Sequence, residues 1–300
     1  MMKTKAGQPD IRIKKGKNII YNAPYQKLII FVLLGLWGLG CCPTQVSLEP
    51  VPEPLTLQEA VKCYNDNVRA VGDFSAKVEE WGLQFYEDQK KHSFDYRGGK
   101  IFYRPAPPNG RFPLFSMITK GPTLEHGGEA LVVGSNEEDF WMYSRPAKWS
   151  FRDTHANAAK FGPESLLIMN PQSLLEFIGL RPIPIEKLKW PYLLYKVRPE
   201  LNVIEYILPG ETCFREIFID RRSNLPQQIS LYDQSGRCIF KSKLGHYQNL
   251  GAAMLPGDIT LTAPADGSYF RLKLSNYKIP QVIAPSLFQP PVDFDDIADK

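Results

Sequence analysis

The sequence predicts a mainly β protein, built as a highly curved antiparallel sheet or unclosed barrel with a few helices lying in its mouth. Three observations carry this expectation. From Phe74 to Ser275 about a dozen short runs alternate apolar and polar residues with a period of two, the signature of strands with one dry face and one wet face. The connectors Pro209-Gly210, Ser223-Asn224 and Ser235-Gly236 are turn chemistry. Helical spacing, by contrast, occurs in only two places.

The first helix is announced by Thr56-Leu57-Gln58-Glu59, a capping box in which Thr caps the N3 amide and Glu returns to the cap. Leu57, Ala60, Val61, Tyr64, Val68 and Val71 then share one face, and Gly72 is expected to end the helix. Cys63 lies off that face and reads as incidental. From Phe74 the period changes to two. Phe74, Ala76 and Val78 share a face, and Trp81, Leu83 and Phe85 continue with the parity switched at Glu79-Glu80. One extra residue flips every later side chain, so a bulge is expected there. A second switch is expected at Gly98-Gly99, between Phe94/Tyr96 and Ile101/Tyr103. Strands follow at Leu114–Thr119, Ala130–Gly134, Phe140–Ser144 and Trp149–Arg152.

The rhythm then breaks. Asn170 as cap and Pro171 at the first helical position open a short helix with apolar Leu174, Leu175, Phe177 and Ile178, ended by Gly179. A second series of strands is expected at Tyr192–Val197, Val203–Leu208, Phe214–Asp220, Gln227–Tyr232, Cys238–Leu244, Ile259–Thr262 and Tyr269–Ser275. In the last of these, Phe270, Leu272 and Leu274 alternate with Arg271, Lys273 and Ser275.

Upstream of this domain the sequence reads as an export signal. Residues 1–27 carry seven basic side chains against Asp10, and an apolar run, LIIFVLLGLWGLG, follows from Leu28 to Gly40. Thirteen helical residues reach roughly 20 Å, short of a ~30 Å hydrocarbon core. A basic stretch, a short apolar stretch and small residues before a cut form a signal peptide rather than a span. Gly38-Leu39-Gly40-Cys41 is similar to the lipobox of bacterial lipoproteins, whose cysteine is acylated and becomes the mature N-terminus. Cys41 is the expected lipidation site, with Cys42 the alternative because it would place Leu39 at position −3. The organisation is therefore a signal peptide over 1–40 and a lipidated, Pro-rich tether over 41–54. A single domain of about 230 residues follows over 55–287, large enough for a substantial core, and an acidic tail over 288–300 ends the chain. The tether, PTQVSLEPVPEP, extends roughly 35 Å at ~3.1 Å per residue.

Removing the signal reverses the charge. The whole chain is +4, but residues after Gly40 carry 29 basic and 31 acidic side chains. No basic patch argues for nucleic acid. Cys63, Cys213 and Cys238 remain, an odd number for a disulfide framework. Cys213 and Cys238 open strands two apart in the meander, too distant for a bridge, and all three read as free thiols.

No catalytic motif is visible: there is no Gly-x-Ser-x-Gly elbow, no His-Glu-x-x-His and no phosphate loop beyond the signal. His92, His126, His155 and His246 are scattered, so no metal or cofactor is expected. Asp153 and His155 read as a solvated loop pair, and Glu137-Glu138-Asp139 as a solvated turn. What remains is an apolar and aromatic surplus on the strands. If two helices cover the concave face only in part, the rest suits acyl chains. Composition alone favours the plainer account, that these residues pack as core.

The stretch Gly99-Lys100-Ile101-Phe102-Tyr103-Arg104-Pro105 is followed by Ala130-Leu131-Val132-Val133-Gly134-Ser135-Asn136, leading to Phe140-Trp141-Met142-Tyr143. In that order it resembles the outer-membrane lipoprotein carrier and receptor family (LolA/LolB-like). Asn170-Pro171 with its helix looks like that family's mid-chain helical insertion. Arg215-Glu216-Ile217 through Leu225-Pro226 and Ile229-Ser230-Leu231-Tyr232-Asp233 look like its later strands. The likeness spans roughly residues 55–280. It implies an unclosed antiparallel barrel with a helical lid, whose apolar interior holds the acyl chains of lipids or lipoproteins without covalent chemistry. Phe270, Leu272, Leu274, Tyr64 and Val68 are the expected cavity residues. Arg104 matches the family's Arg at the Arg-Pro step, which is associated with keeping the lid closed. Longer segments at Pro105–Arg111 and Arg181–Trp190 point to a relative with different cargo. Neither Cys42 nor Pro43 is an Asp retention signal, which by family analogy favours the outer membrane, facing the periplasm. A monomer is expected. The alternative is a structural envelope lipoprotein that carries no lipid and serves as a scaffold.

Cys41→Ser should abolish labelling by a fatty-acid probe. Label that persists, and vanishes only with Cys42→Ser, would move the acylation site by one residue.

Overall fold

The computed structural model describes residues 50–87, 90–107, 110, 112–120, 129–144, 149–158, 171–188 and 193–291. The signal, Cys41, Cys42, most of the tether, Asn170 and residues 292–300 of the acidic tail lie outside the described residues. Val51–Lys300 forms a compact unit, and every residue of the two apolar core clusters lies within it, so this unit carries its own core. No described helix is long and apolar enough to cross a membrane.

Helix α1 (Leu57–Ala70) starts with the expected capping box: the Thr56 amide donates to Glu59 Oε2 at 2.8 Å and the Glu59 amide to Thr56 Oγ1 at 3.3 Å. It ends at Val71, which is already extended, so the chain leaves the helix directly toward the sheet; Gly72 does not take a left-handed conformation. The first arm of the sheet comprises β1 (Phe74–Glu87), β2 (Lys90–Arg97), β3 (Gly99–Arg104), β4 (Leu114–Lys120), β5 (Glu129–Ser135), β6 (Asp139–Ser144) and β7 (Trp149–Thr154). Short helices α2 (His155–Ala158) and α3 (Pro171–Phe177) follow. The second arm comprises β8 (Leu193–Val197), β9 (Leu201–Ile207), β10 (Phe214–Asp220), β11 (Pro226–Tyr232), β12 (Cys238–Gly245), β15 (Asp258–Ala263) and β16 (Ser268–Lys278). A separate hairpin, β13 (Gln248–Leu250) and β14 (Ala253–Leu255), interrupts it.

Fourteen of these strands form one curved antiparallel sheet in the order β7-β6-β5-β4-β3-β1-β16-β15-β12-β11-β10-β9-β8, with β2 on β1. The sheet does not close. Each arm is a meander of sequence neighbours, and the two arms join only where β1 pairs with β16. The register of β1 shifts between Val78 and Glu80, which is the bulge expected at Glu79-Glu80. It keeps Phe74, Ala76 and Val78, then Trp81 and Leu83, all on the buried face.

Gly98-Gly99 behaves differently from the expected bulge. It divides two strands that lie end to end along the same edge of β1: β3 pairs with Phe74–Lys77 and β2 with Glu80–Glu87. Both glycines have positive φ, 85° and 150°. A Cβ on Gly99 would fall 2.5 Å from the Ile118 carbonyl oxygen, so only glycine fits the kink.

The core sits on the inner face of the curve, shared by both arms. Phe270, Leu272 and Leu274 point inward while Arg271 and Lys273 are exposed. A smaller apolar cluster, Val132, Trp141 and Tyr143 with Ile118, lies on the outer face. There Gly134 leaves room for the Trp141 indole, which a Cβ would meet at 2.5 Å.

Candidate functional site

The inner face is apolar from arm to arm, and two helices lie on it. Helix α1 buries Ala60, Val61, Tyr64 and Val68 there. Two asparagines fix its position. Asn65 donates from Nδ2 to the Ile183 carbonyl (2.9 Å) and accepts the Ile183 amide at Oδ1 (2.8 Å). Asn67 does the same with Met254, at 3.0 Å and 2.8 Å. An amide side chain presents one donor and one acceptor face, as a peptide unit does, so Asn65 satisfies backbone that lies outside any strand and Asn67 satisfies the backbone of Met254 on β14. Asn65 thus ties α1 to the segment that follows α3, and Asn67 ties it to β14.

Helix α3 also lies on the inner face. Its Leu174, Leu175 and Phe177, with Ile178 behind them, join the core, and Phe177 packs against Phe240 of β12 with ring centroids 6.1 Å apart. Gly179 ends it with φ 79° and sits over Pro226, Ile229 and Leu244. One charge on this helix faces inward. Glu176, 6% exposed, accepts from Arg215 Nε on β10 and from Arg181 Nη1 at 3.0 Å. Arg215, 7% exposed, also donates from Nη1 to Glu211 at 2.6 Å and lies 6.0 Å from the centre of the Tyr206 ring. Burial alone would raise the Glu176 carboxyl, but Arg215 and Arg181 outweigh it and hold the group below its ordinary range. Burial also works against the Arg215 charge, and Glu176 and Glu211 more than compensate, raising its pKa. An ion pair of this kind costs a large desolvation and is weak evidence for stability in itself. Its effect is positional: α3 is held by charge to one place on β10.

Tyr64 and Val68 on α1 and Phe270, Leu272 and Leu274 on β16 belong to the same buried core. All five are buried, Leu272 to 1% exposure. The Tyr64 hydroxyl donates to the Arg181 carbonyl at 3.0 Å, and burial pushes its pKa well up. Arg104 does not reach α3. Its Nε donates to Asp73 at 3.0 Å, its Nη2 to the Ile283 carbonyl at 3.3 Å, and its guanidinium lies 5.6 Å from the centre of the Phe288 ring. It therefore pins the segment after β16 to the joint between α1 and β1.

Cover is incomplete along the β1–β2 hairpin. Trp81, Leu83 and Phe85 of β1 stand opposite Tyr96, Phe94 and His92 of β2. Trp81 and Leu83 are buried, whereas Phe85, Phe94 and Tyr96 are only half-buried against the core. The rings meet one another: Trp81 tilts against Tyr96 at 5.1 Å, and Phe85 stacks on His92 at 5.0 Å and on Phe94 at 6.3 Å. This half-covered aromatic strip was readable as strand parity but not as the open end of the face, which depends on what lies above it.

Asp153 and His155 do not pair. His155 is held at Nε2 by the Asn136 carbonyl (2.9 Å) and stacks on Phe112, and burial lowers its pKa. Asp153 receives the Thr154 amide and the Asn157 side chain. Asn136 Oδ1 accepts the Glu138 and Asp139 amides, which shapes the Glu137-Glu138-Asp139 stretch as a turn. Among the described residues, no three His, Cys, Asp or Glu side chains converge as metal ligands, and Cys63, Cys213 and Cys238 are free.

No family model and no curated protein matches the chain. Solved structures do. A DUF1329 family protein from Desulfovibrio piger superposes with a TM-score of 0.52 at 13% identity, covering 77% of this chain and 96% of its own. The likeness is one of fold. A putative outer membrane lipoprotein-sorting protein domain from Vibrio parahaemolyticus gives 0.49 at 15% identity, over 81% of this chain and 97% of that one. A LolA superfamily protein from Nitrosomonas europaea gives 0.49 at 13% identity, over 79% and 99%.

Glu176→Gln should destabilise the 51–300 unit by about 3–5 kcal/mol at neutral pH, because Arg215 stays buried with its main partner gone. Since the folded carboxyl lies below its ordinary 4.5, the wild type carries this contribution above that pH and loses it as pH falls through the folded value. Denaturant titrations across that range should therefore converge for wild type and variant at low pH. Equal stability at neutral pH would show that the pair does not hold α3.

Proposed function

We propose that this protein is an envelope lipoprotein, acylated at Cys41 and held off the membrane by its Pro-rich tether, whose open sheet binds acyl chains on its inner face. The cargo is a lipid or an acylated lipoprotein, and the binding involves no covalent step. The observation that carries this reading is the cover of the inner face. One apolar surface runs through both arms, and two helices lie over it, held by apolar packing and a few polar contacts. At the β1–β2 hairpin Phe85, Phe94 and Tyr96 are left half open. The family resemblance of the sequence supports the same reading and favours the outer membrane. In this account α3 moves to admit cargo, Glu176 and Arg215 set its closed position, and Arg104 keeps the C-terminal segment in place as the lid shifts.

The scaffold reading has one observation in its favour: Phe270, Leu272 and Leu274 are packed as tightly as any core residues. Energetics separate the two. Each buried methylene contributes ~0.8 kcal/mol, so a chain of a dozen carbons gives roughly 10 kcal/mol before ordering costs. Cargo bound that strongly survives purification. Native mass spectrometry of the 51–300 unit should show co-purified lipid, and Phe94→Glu, at a half-buried position, should lower the lipid per folded molecule while leaving the melting temperature nearly unchanged. Absence of lipid from both proteins would remove the carrier reading and leave the scaffold.

A further inference from the structure

On the inner face, where the fully buried core gives way to the half-covered aromatic strip, stands a polar group with nothing to bond. Trp81 is 1% exposed, and its indole Nε1–H has no hydrogen-bond partner. It is held from both sides, by Leu272 across the β1–β16 ladder and by Tyr96 across the β1–β2 ladder. An indole nitrogen only donates, so what it lacks is an acceptor. Buried donors are almost always paired in native proteins, and one left open in an otherwise apolar face marks a place for something the chain itself does not supply.

We infer that Trp81 donates to the carbonyl oxygen that joins an acyl chain to its head group, so that the protein selects ester- or amide-linked chains over ether-linked ones. The inference rests on the acyl-binding reading and narrows it. The position fits the chemistry of such a ligand. Along β1 in one direction, toward Val78 and its partner Leu274, the face is fully buried and suits a hydrocarbon chain. In the other direction, past Leu83, Phe85 and Phe94 are half-covered and suit the emerging head group. A linking carbonyl falls between the two. An ether oxygen is a poorer acceptor, and an alkyl chain has none, so either would leave the donor unsatisfied in the bound state.

The test uses two probes that differ only at the linkage, 1-hexadecanoyl glycerol and 1-O-hexadecyl glycerol, with the 51–300 unit and its Trp81→Phe variant. The wild type should prefer the ester by about 3- to 10-fold, the worth of one net hydrogen bond, and Trp81→Phe should bind both alike. Because the comparison is a ratio within each protein, loss of packing from the smaller ring cancels. Should Trp81→Phe fail to fold, the wild-type indole N–H resonance, assigned through its contacts with Tyr96, decides: it should move downfield with the ester and not with the ether. Equal affinity of the wild type for both probes, or an ester preference that survives Trp81→Phe, would overturn the inference while leaving acyl binding intact. Failure of both probes to bind would overturn the acyl-binding reading and this inference with it.

Discussion

The ladder between β1 and β16 is the constraint on which the rest of the fold depends. Each arm is a run of neighbouring hairpins, cheap to form because little chain is closed by each. Joining the arms requires pairing Phe74–Glu87 with Ser268–Lys278, nearly the whole domain apart in sequence. Only with that ladder made do the inner faces of the two arms become one surface, with Trp81 opposite Leu272 and Leu83 opposite Phe270 at its centre. The bulge at Val78–Glu80 lets one strand keep its apolar side inward along its whole length and serve β16, β3 and β2 together.

A curved sheet with free edges cannot bury its inner face by closing on itself, so helices must do it. Helices laid on a sheet bring backbone segments over apolar ground, where unpaired amides and carbonyls are costly. Asn65 and Asn67 answer this by bonding the backbone of Ile183 and Met254 on either side of α1. Helix α3 is attached by its buried Leu174, Leu175 and Phe177 and, in addition, by the Glu176–Arg215 pair. The apolar contacts supply the burial, and the ion pair, weak in net free energy, fixes the place on β10 where the helix sits.

Much of this was legible in the sequence. The capping box at Thr56, the alternation of Phe270, Leu272 and Leu274, the bounds of Phe214–Asp220 and the parity switch in β1 are local patterns, set by the residues that show them. The hairpin β13–β14 was not legible, because three residues per strand are too few to display a period. The same holds for the four residues of α2. Gly98-Gly99 announced a break in parity but not whether it would be a bulge or a division into two strands, since that depends on which part of β1 each side pairs with. The polar anchors were hidden for a further reason. Asn65, Glu176 and Arg215 look in sequence like solvated residues, and only long-range pairing makes them buried and satisfied. Tyr64, Val68, Phe270, Leu272 and Leu274 all belong to the one buried core that their apolar spacing predicts. That Phe85, Phe94 and Tyr96 stand at its open end depends on how far the cover reaches, which no local pattern encodes.

The central claim is that acyl chains lie on the inner face of the sheet. It is tested most directly by photo-cross-linking the 51–300 unit to a fatty-acyl glycerol carrying a diazirine in its chain and mapping the adducts by mass spectrometry. The account predicts adducts on inner-face residues of β1, β2 and β16, at Trp81, Phe85, Phe94 and Phe270. Adducts confined to their outward neighbours Tyr269 and Arg271, or spread over both faces alike, would contradict it.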